Sequence, residues 1–181
     1  MTKSMKTLLY NENDQLDFFN SYKKMSEHFG CYYMGYILED TNKDLRSGFT
    51  TNMDWGKEYL NNYIKHCHLY SHVQRFFSLD SKSNTLILPW HTISTTTSIQ
   101  EEAFLRKEEL LISRDGISFC YKAGSLREYY YFAPQINERR FLEHVSSSLN
   151  IIKEEIKIFR KHSISLIQAV ESNKTTTSEE K

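Results

Sequence analysis

Apolar side chains in the first third of the chain change their spacing at residue 30. Between residues 11 and 30 they recur at helical intervals among polar residues, and Gly30 stands where a helix would end. The next segment, "CYYMGYILED", is rich in aromatic residues and is followed by the polar "DTNKD", which is typical of a strand and a turn. A second, weaker strand is predicted over "RSGFTTN".

The middle of the chain is predicted to be mostly helical. Asp54 can cap a helix that runs from Trp55 to about Cys67, with Tyr59 and Tyr63 extending one face at steps of four. A short helix is expected within "SHVQRFFSL", followed by a polar turn over residues 80–84 and an apolar segment that ends at Pro89 and Trp90.

The last third predicts a helix, a hairpin and a long helical region. Helical spacing covers residues 99–112 and ends at Asp115-Gly116, a pair suited to a tight turn. The runs "GISFCYKA" and "REYYYFAP", separated by Gly124-Ser125, predict an antiparallel hairpin. Residues 137–169 predict one long helix or two helices joined near Ser146 to Ser148. This order of elements predicts an α+β domain with a mainly antiparallel sheet and helices on its faces.

The composition narrows the classes of protein to which this chain can belong, but it does not identify a function. A chain of 181 residues with 39% hydrophobic content can form one domain with a real core. Its 23 basic and 23 acidic residues balance, so its overall charge favours neither nucleic acid nor an anionic membrane as a partner. The three cysteines form no CxxC pair, and no apolar run reaches the roughly 20 residues of a membrane span. We therefore expect a cytoplasmic protein.

Three histidines between residues 66 and 72 raise the possibility of a metal site. His68 and His72 can share a helical face, and imidazoles at that spacing can converge on zinc. However, no Glu accompanies them in the metalloprotease arrangement, and distant ligands could only be chosen freely among His91, His144 and Cys120. No nucleophile elbow, phosphate loop or paired-carboxylate motif is present either, so a metal-dependent enzyme is the weakest of the functional hypotheses.

The aromatic stripe of Trp55, Tyr59 and Tyr63 allows two interpretations. Aromatic residues at helical spacing are more often part of a core than of a ligand site. Aromatic residues make up 14% of the chain, however, and this content also suits a cavity lined by large, partly polar rings.

Several motifs, taken in order, point to one family. A helix is followed by "FGCYYMGY", then by Trp55 with Tyr59, by "HLYSHV", by Trp90 after an apolar run, and by "GISF" opening a hairpin. This arrangement, over about residues 12–165, resembles the autoinducer-binding domain of LuxR-type quorum-sensing regulators. The resemblance implies an α/β/α sandwich of the PAS/GAF-like kind, which holds an acyl-homoserine lactone between its sheet and a helical layer. In that family the domain normally precedes a DNA-binding helix-turn-helix.

The resemblance also implies roles for particular residues. Trp55 would donate its indole N–H to a lactone carbonyl, Tyr59 would line the acyl or ring region, and Trp90 would close the pocket. Tyr33 and Tyr63 are further candidate ligand-binding residues.

Two positions depart from the family pattern. Thr51 stands where the family has a tyrosine four residues before the tryptophan. The family's Asp-Pro pair aligns with Ser71 and His72, or its aspartate aligns with His68 when residues are counted from Trp55 without gaps. Because neither alignment supplies a carboxylate, Thr51, His68 and Ser71 are expected to form a polar set that differs from that of a standard acyl-homoserine lactone receptor.

The resulting expectation is a small-molecule sensor domain without catalytic activity. Residues 1–11 are expected to be an extension, 12–170 the sensor, and 171–181 a disordered tail or the start of a linker. A helix-turn-helix domain needs about 50 to 65 residues and only eleven follow Val170, so we expect no nucleic-acid binding by this chain. The expected partners are a small apolar acyl ligand with a polar head and a second copy of the chain, bound through the C-terminal helix, with no cofactor, metal or membrane. The alternatives are an interaction module that fills its cavity with its own side chains, and the metal-dependent enzyme.

Overall fold

A computed structural model of the protein describes residues 6–10, 30–79, 82–111, 113–134 and 140–160, together with Asn20, Lys23, Lys24 and Glu27. Those four single residues are helical, but most of the helix predicted over residues 11–30 lies outside the described residues. The same holds for the predicted tail, residues 171–181.

The described strands form one six-stranded sheet. The strands are β1 (Lys6–Tyr10), β2 (Cys31–Asp40), β3 (Leu45–Thr50), β4 (Thr85–Pro89), β5 (Ile117–Ala123) and β6 (Leu126–Pro134). Their order across the sheet is β1-β3-β2-β6-β5-β4. The first pair, β1 with β3, is parallel, and every other neighbouring pair is antiparallel. The prediction of a mainly antiparallel sheet is therefore confirmed, although no strand had been predicted at residues 6–10.

The helices follow the predicted order closely. They are α1 (Met53–Glu58), α2 (His68–Leu79), α3 (Ser98–Leu111), α4 (Phe141–Ser147) and α5 (149–160). A π-helical turn (Tyr59–Tyr63) extends α1, and a short 3-10 turn (Trp90–Thr92) follows β4. The predicted β5–β6 hairpin is confirmed and turns at Gly124, whose φ of +61° favours glycine. Of the two alternatives predicted from residue 137 onwards, the structure shows two helices joined near Ser146 to Ser148, because α4 gives way to α5 at Ser148.

The prediction that Asp54 caps the helix α1 was wrong. The residue that caps α1 is Asn52 rather than Asp54. The backbone of Asn52 is extended (φ −128°, ψ 100°), and its side-chain oxygen accepts a hydrogen bond from the Trp55 backbone N–H at 3.0 Å. Asp54 lies inside the first turn, where its negative charge still suits the positive end of the helix dipole.

The sheet separates two apolar clusters because side chains on adjacent positions of a strand point to opposite faces. Tyr130 and Phe132 of β6 pack with α4 and α5 on one face, whereas Tyr129 and Tyr131 pack with α1, α2 and α3 on the other. Both faces are thus covered by helices, as in the predicted α/β/α sandwich.

A buried polar network fixes α2 to the second of these faces. Glu39 of β2 accepts hydrogen bonds from Arg46 Nε (2.8 Å) and Nη2 (2.6 Å) on β3. Its carboxylate also accepts from Tyr70 (2.6 Å) and Gln74 (3.0 Å) of α2, and from Tyr129 (2.8 Å) of β6. Since Glu39 is only 1% exposed, these donors replace the water that its charge has lost.

Candidate functional site

A pocket lies between the sheet and the helices α1 to α3. This pocket is partly open to solvent. The sheet contributes Tyr33, Gly35, Ile37, Gly48, Thr50 and Tyr131, and the opposite wall is formed by Trp55, Tyr59, Leu60, Cys67, His68, Leu69, Trp90, Ala103, Phe104 and Lys107.

Two glycines allow bulky rings to form this wall. A Cβ atom on Gly35 would lie 2.5 Å from the Tyr33 hydroxyl, so the absence of a side chain lets the Tyr33 ring lie over the strand. A Cβ atom on Gly116 would lie 2.5 Å from the Trp90 ring and 2.6 Å from the Phe132 carbonyl oxygen. Larger residues at either position would displace an aromatic wall of the pocket.

The three residues of the aromatic stripe, Trp55, Tyr59 and Tyr63, do not all line the pocket. The Trp55 ring packs on Tyr59 with centroids 5.3 Å apart and on Tyr63 with centroids 6.2 Å apart. Trp55 and Tyr59 line the pocket, whereas Tyr63 lies behind them and donates its hydroxyl hydrogen to Glu102 at 3.0 Å. The stripe therefore supplies both core packing and pocket wall.

The two tryptophans differ in the partners of their indole groups. Trp90 donates its N–H to the buried Ser118 hydroxyl at 2.8 Å, so its donor is occupied within the protein. The Trp55 side chain lies close to the Tyr33 hydroxyl. Burial raises the pKa of Tyr33 to about 12, and side-chain hydrogen bonding with Thr50 and with Trp55 opposes part of that rise. A ligand oxygen that reached the Trp55 indole would therefore compete with the Tyr33 hydroxyl for it.

Two buried hydroxyls in the pocket have no hydrogen-bond partner among the described residues, those of Tyr59 and Tyr131. The Tyr59 hydroxyl lies near the Tyr131 hydroxyl and the Cys67 thiol, outside hydrogen-bonding geometry. Burial raises the pKa of Tyr59 well above its usual value, and these neighbours raise it further. Both groups are therefore neutral at physiological pH. An unpaired buried hydroxyl costs roughly 1–3 kcal/mol, so a ligand that paired with either would be stabilised.

His68 and Lys107 supply the titratable groups at the helical wall. Burial, followed by the charge of Lys107, lowers the pKa of His68 to about 4, and its Nδ1 atom lacks a partner among the described residues. Burial lowers the pKa of Lys107 to about 8. Near neutral pH the pocket therefore contains a neutral imidazole and a mostly protonated ammonium group.

Five of the eight predicted ligand-binding residues come together in this lining: Tyr33, Trp55, Tyr59, His68 and Trp90. The other three, Tyr63, Thr51 and Ser71, lie outside it. The Thr51 hydroxyl accepts from the Met34 backbone N–H at 3.0 Å and donates to the Met34 carbonyl at 3.2 Å. Ser71 is exposed on α2. A ligand-binding role for each of the eight residues stays a prediction.

Sequence reasoning did not find Lys107 or Tyr131 as pocket residues. The period-2 pattern of "REYYYFAP" places Tyr129 and Tyr131 on one face, but both faces of this strand are aromatic, so the pattern does not say which face meets the pocket. Lys107 stands in a charged helical segment, where lysine is normally exposed, and no local signal marks it as buried.

The histidine cluster does not form a metal-binding group in the described part of the chain, where no three His, Cys, Asp or Glu side chains converge on one point. His66 and His72 are exposed and His68 is buried. Across the same residues, no helix has the length and apolar character needed to cross a lipid bilayer.

Comparison with solved structures finds proteins of similar fold. The chain is similar to an N-acylhomoserine lactone-dependent LuxR family transcription factor, CepR2 of Burkholderia cenocepacia, with a TM-score of 0.51 at 11% identity over 81% of this chain and 93% of that chain. It also matches SdiA of Escherichia coli, with a TM-score of 0.41 at 8% identity over 80% of this chain and 59% of that chain. No protein-family model and no curated protein matches the sequence. The α+β fold thus resembles that of a LuxR-type autoinducer-binding domain.

Proposed function

We propose that this chain is a small-molecule-binding regulatory domain of the LuxR autoinducer-binding type. The observation that carries the proposal is the pocket beside Trp55, whose aromatic wall contains buried hydroxyls with no hydrogen-bond partner among the described residues. An interaction module that had lost its ligand would be expected to fill this space with its own side chains. A pocket with apolar walls and a few converging polar groups is the usual form of a small-ligand site.

The proposed ligand has an apolar body and a polar group, as an acylated signal does. Leu60, Leu69 and Ala103 offer apolar contacts, and the Trp55 indole with the Tyr59 and Tyr131 hydroxyls offers the polar ones. The resemblance to the acyl-homoserine lactone-dependent regulator supports this ligand class. The protein itself is proposed to act without catalysis or a cofactor, in the cytoplasm.

The proposed output is assembly into a homodimer through α5. Ile152, Ile156 and Phe159 are buried against the sheet, whereas Ile151 and Ile158 are 52% and 55% exposed. These two isoleucines are seven residues apart and therefore lie on the same side of the helix. Helical spacing adds Ile164 to the apolar stripe of Ile151 and Ile158, but Ile164 lies outside the described residues.

The proposal is tested by identifying what the protein carries. Small molecules released by denaturing the purified protein would be analysed by mass spectrometry, and the ligand-free protein would then be titrated with N-acyl homoserine lactones of increasing chain length. Both tryptophans of the chain line the pocket, so intrinsic fluorescence reports directly on its occupancy. We expect a co-purified amphiphile or a saturable fluorescence change. If neither is seen, the ligand-free interaction module becomes the better description.

A further inference from the structure

Lys107 is a buried cation at the wall of the proposed ligand site. It is 7% exposed, and its Nζ atom lies 4.2 Å from the centroid of the Trp90 ring and 4.8 Å from that of Phe104. Contacts of this kind with aromatic faces offset only part of the cost of removing an ammonium group from water.

No carboxylate in the described part of the chain pairs with this ammonium group. Its Nζ atom donates a long hydrogen bond, of 3.4 Å, to the Arg114 carbonyl oxygen. Glu108 and Asp115 lie close enough to favour its charged form, but Glu108 is engaged by Arg114 Nε at 2.6 Å. Lys107 is therefore stabilised by distant charge rather than by a direct partner.

Two arginines, Arg46 on β3 and Arg160 on α5, show the contrast. Arg46 contacts the buried carboxylate of Glu39 at 2.6 Å, and Arg160 contacts the buried carboxylate of Glu128 at 2.7 Å. Each of these cations has an anion supplied by the fold. Lys107, which is as buried as Arg46, lines the pocket instead.

We infer that the ligand carries a negatively charged group of the carboxylate class, which pairs with Lys107 Nζ while its apolar body extends towards Trp55. This inference rests on the proposed function and defines its ligand more narrowly. The unpaired Nδ1 of His68, which also lines the pocket, offers the same group a second polar contact. A buried anion beside a buried cation offsets part of the desolvation cost that each would carry alone.

The pH dependence of binding follows from the groups around Lys107. His68 and Cys67 face it from the α2 side of the pocket, and Asp115 and Glu108 lie on its own side. Because burial holds the pKa of Lys107 at about 8, the ammonium group is charged below that pH and becomes neutral above it. The affinity for an anion should therefore fall as pH rises through about 8, while the affinity for an uncharged analogue should not.

The test uses three probes of equal chain length: dodecanoate, methyl dodecanoate and N-dodecanoyl homoserine lactone. Binding to the full chain is followed by tryptophan fluorescence. We expect dodecanoate to bind more tightly than its methyl ester, by about 10- to 100-fold for one charged hydrogen bond. Lys107→Met should remove this preference by weakening dodecanoate binding alone. Lys122→Met is the matched control, because Lys122 is a half-buried lysine outside the lining that donates to the Phe77 carbonyl at 3.0 Å.

The outcomes separate the inference from the proposed function. If the ester or the lactone binds as tightly as dodecanoate, and Lys107→Met leaves the ratio unchanged, the inference of an anionic ligand is overturned while the receptor function stands. If none of the three probes binds and no amphiphile co-purifies, the proposed function fails, and the inference fails with it. Should Lys107→Met not fold, the wild-type pH profile decides: a dodecanoate affinity that stays constant between about pH 6 and 9 contradicts the role of Lys107.

Discussion

Replacing Glu39 with Gln tests whether the buried polar network positions the helical wall of the pocket. Tyr70 and Gln74, which donate to Glu39, belong to α2, and this helix begins with the pocket residues His68 and Leu69. Glutamine keeps the shape of the side chain but removes its charge and converts one acceptor oxygen into a donor. The substitution should therefore weaken the attachment of α2 to the sheet.

The size of the effect follows from what Glu39 contacts. One carboxylate oxygen accepts from Arg46 and Tyr70, and the other accepts from Gln74 and Tyr129. Even if the amide oxygen of the new side chain faced Arg46, that guanidinium group would remain buried without a counter-charge. Breaking a buried ion pair from one side costs about 3–5 kcal/mol, which is a large part of the roughly 5–15 kcal/mol that stabilises a domain.

The loss of stability should appear as a lower midpoint of urea unfolding, monitored by circular dichroism. Glu154→Gln is the control, since Glu154 pairs with Lys157 at 2.6 Å but is 67% exposed, and its loss should change the midpoint little. Adding Arg46→Met to Glu39→Gln should recover part of the stability, because it removes the stranded charge. A decrease of less than about 1 kcal/mol for Glu39→Gln would refute the reasoning, since an ordinary surface substitution costs no more than that.

Three further predictions concern the pocket and the helix that follows the sheet. Trp55→Phe should leave the fold intact and weaken the binding of an acyl probe by about 0.5–1.5 kcal/mol, because one indole donor is lost. Isothermal titration calorimetry measures this change. Unchanged affinity together with lower stability would make Trp55 a core residue only. Because the pKa of His68 falls to about 4 in the folded protein, the imidazole is protonated at a higher pH in the unfolded chain, and stability should decrease as pH falls from about 6.5 towards 4. The urea midpoint of His68→Gln should decrease less over this pH range than that of the wild type. Equal pH dependence of the two midpoints would contradict the prediction. Ile158→Glu should give a folded monomer by light scattering and circular dichroism, whereas Ile152→Glu, at a position only 1% exposed, should unfold the domain. If the wild type is already monomeric, only a different protein is left as the partner of α5.

The sequence alone determined the order and type of most elements. The alternating run of β6 and the positive-φ turn at Gly124 are local features, and so is the helical spacing before Ser148; each depends on residues near one another in the chain. The same reasoning found five pocket residues, because the resemblance located them by motif and spacing. It could not find β1, whose pairing with β3 joins residues far apart in sequence.

Tertiary structure decided which polar groups reach the pocket. Tyr63 belongs to the same aromatic stripe as Trp55, yet the packing of α1 against α3 turns its hydroxyl to Glu102. Lys107 has the sequence context of an exposed residue, but α3 packs it against Trp90, where Gly116 leaves room for the ring. Local spacing sets which residues share a face, whereas burial and charge pairing depend on which faces meet, and that depends on contacts made across the whole fold.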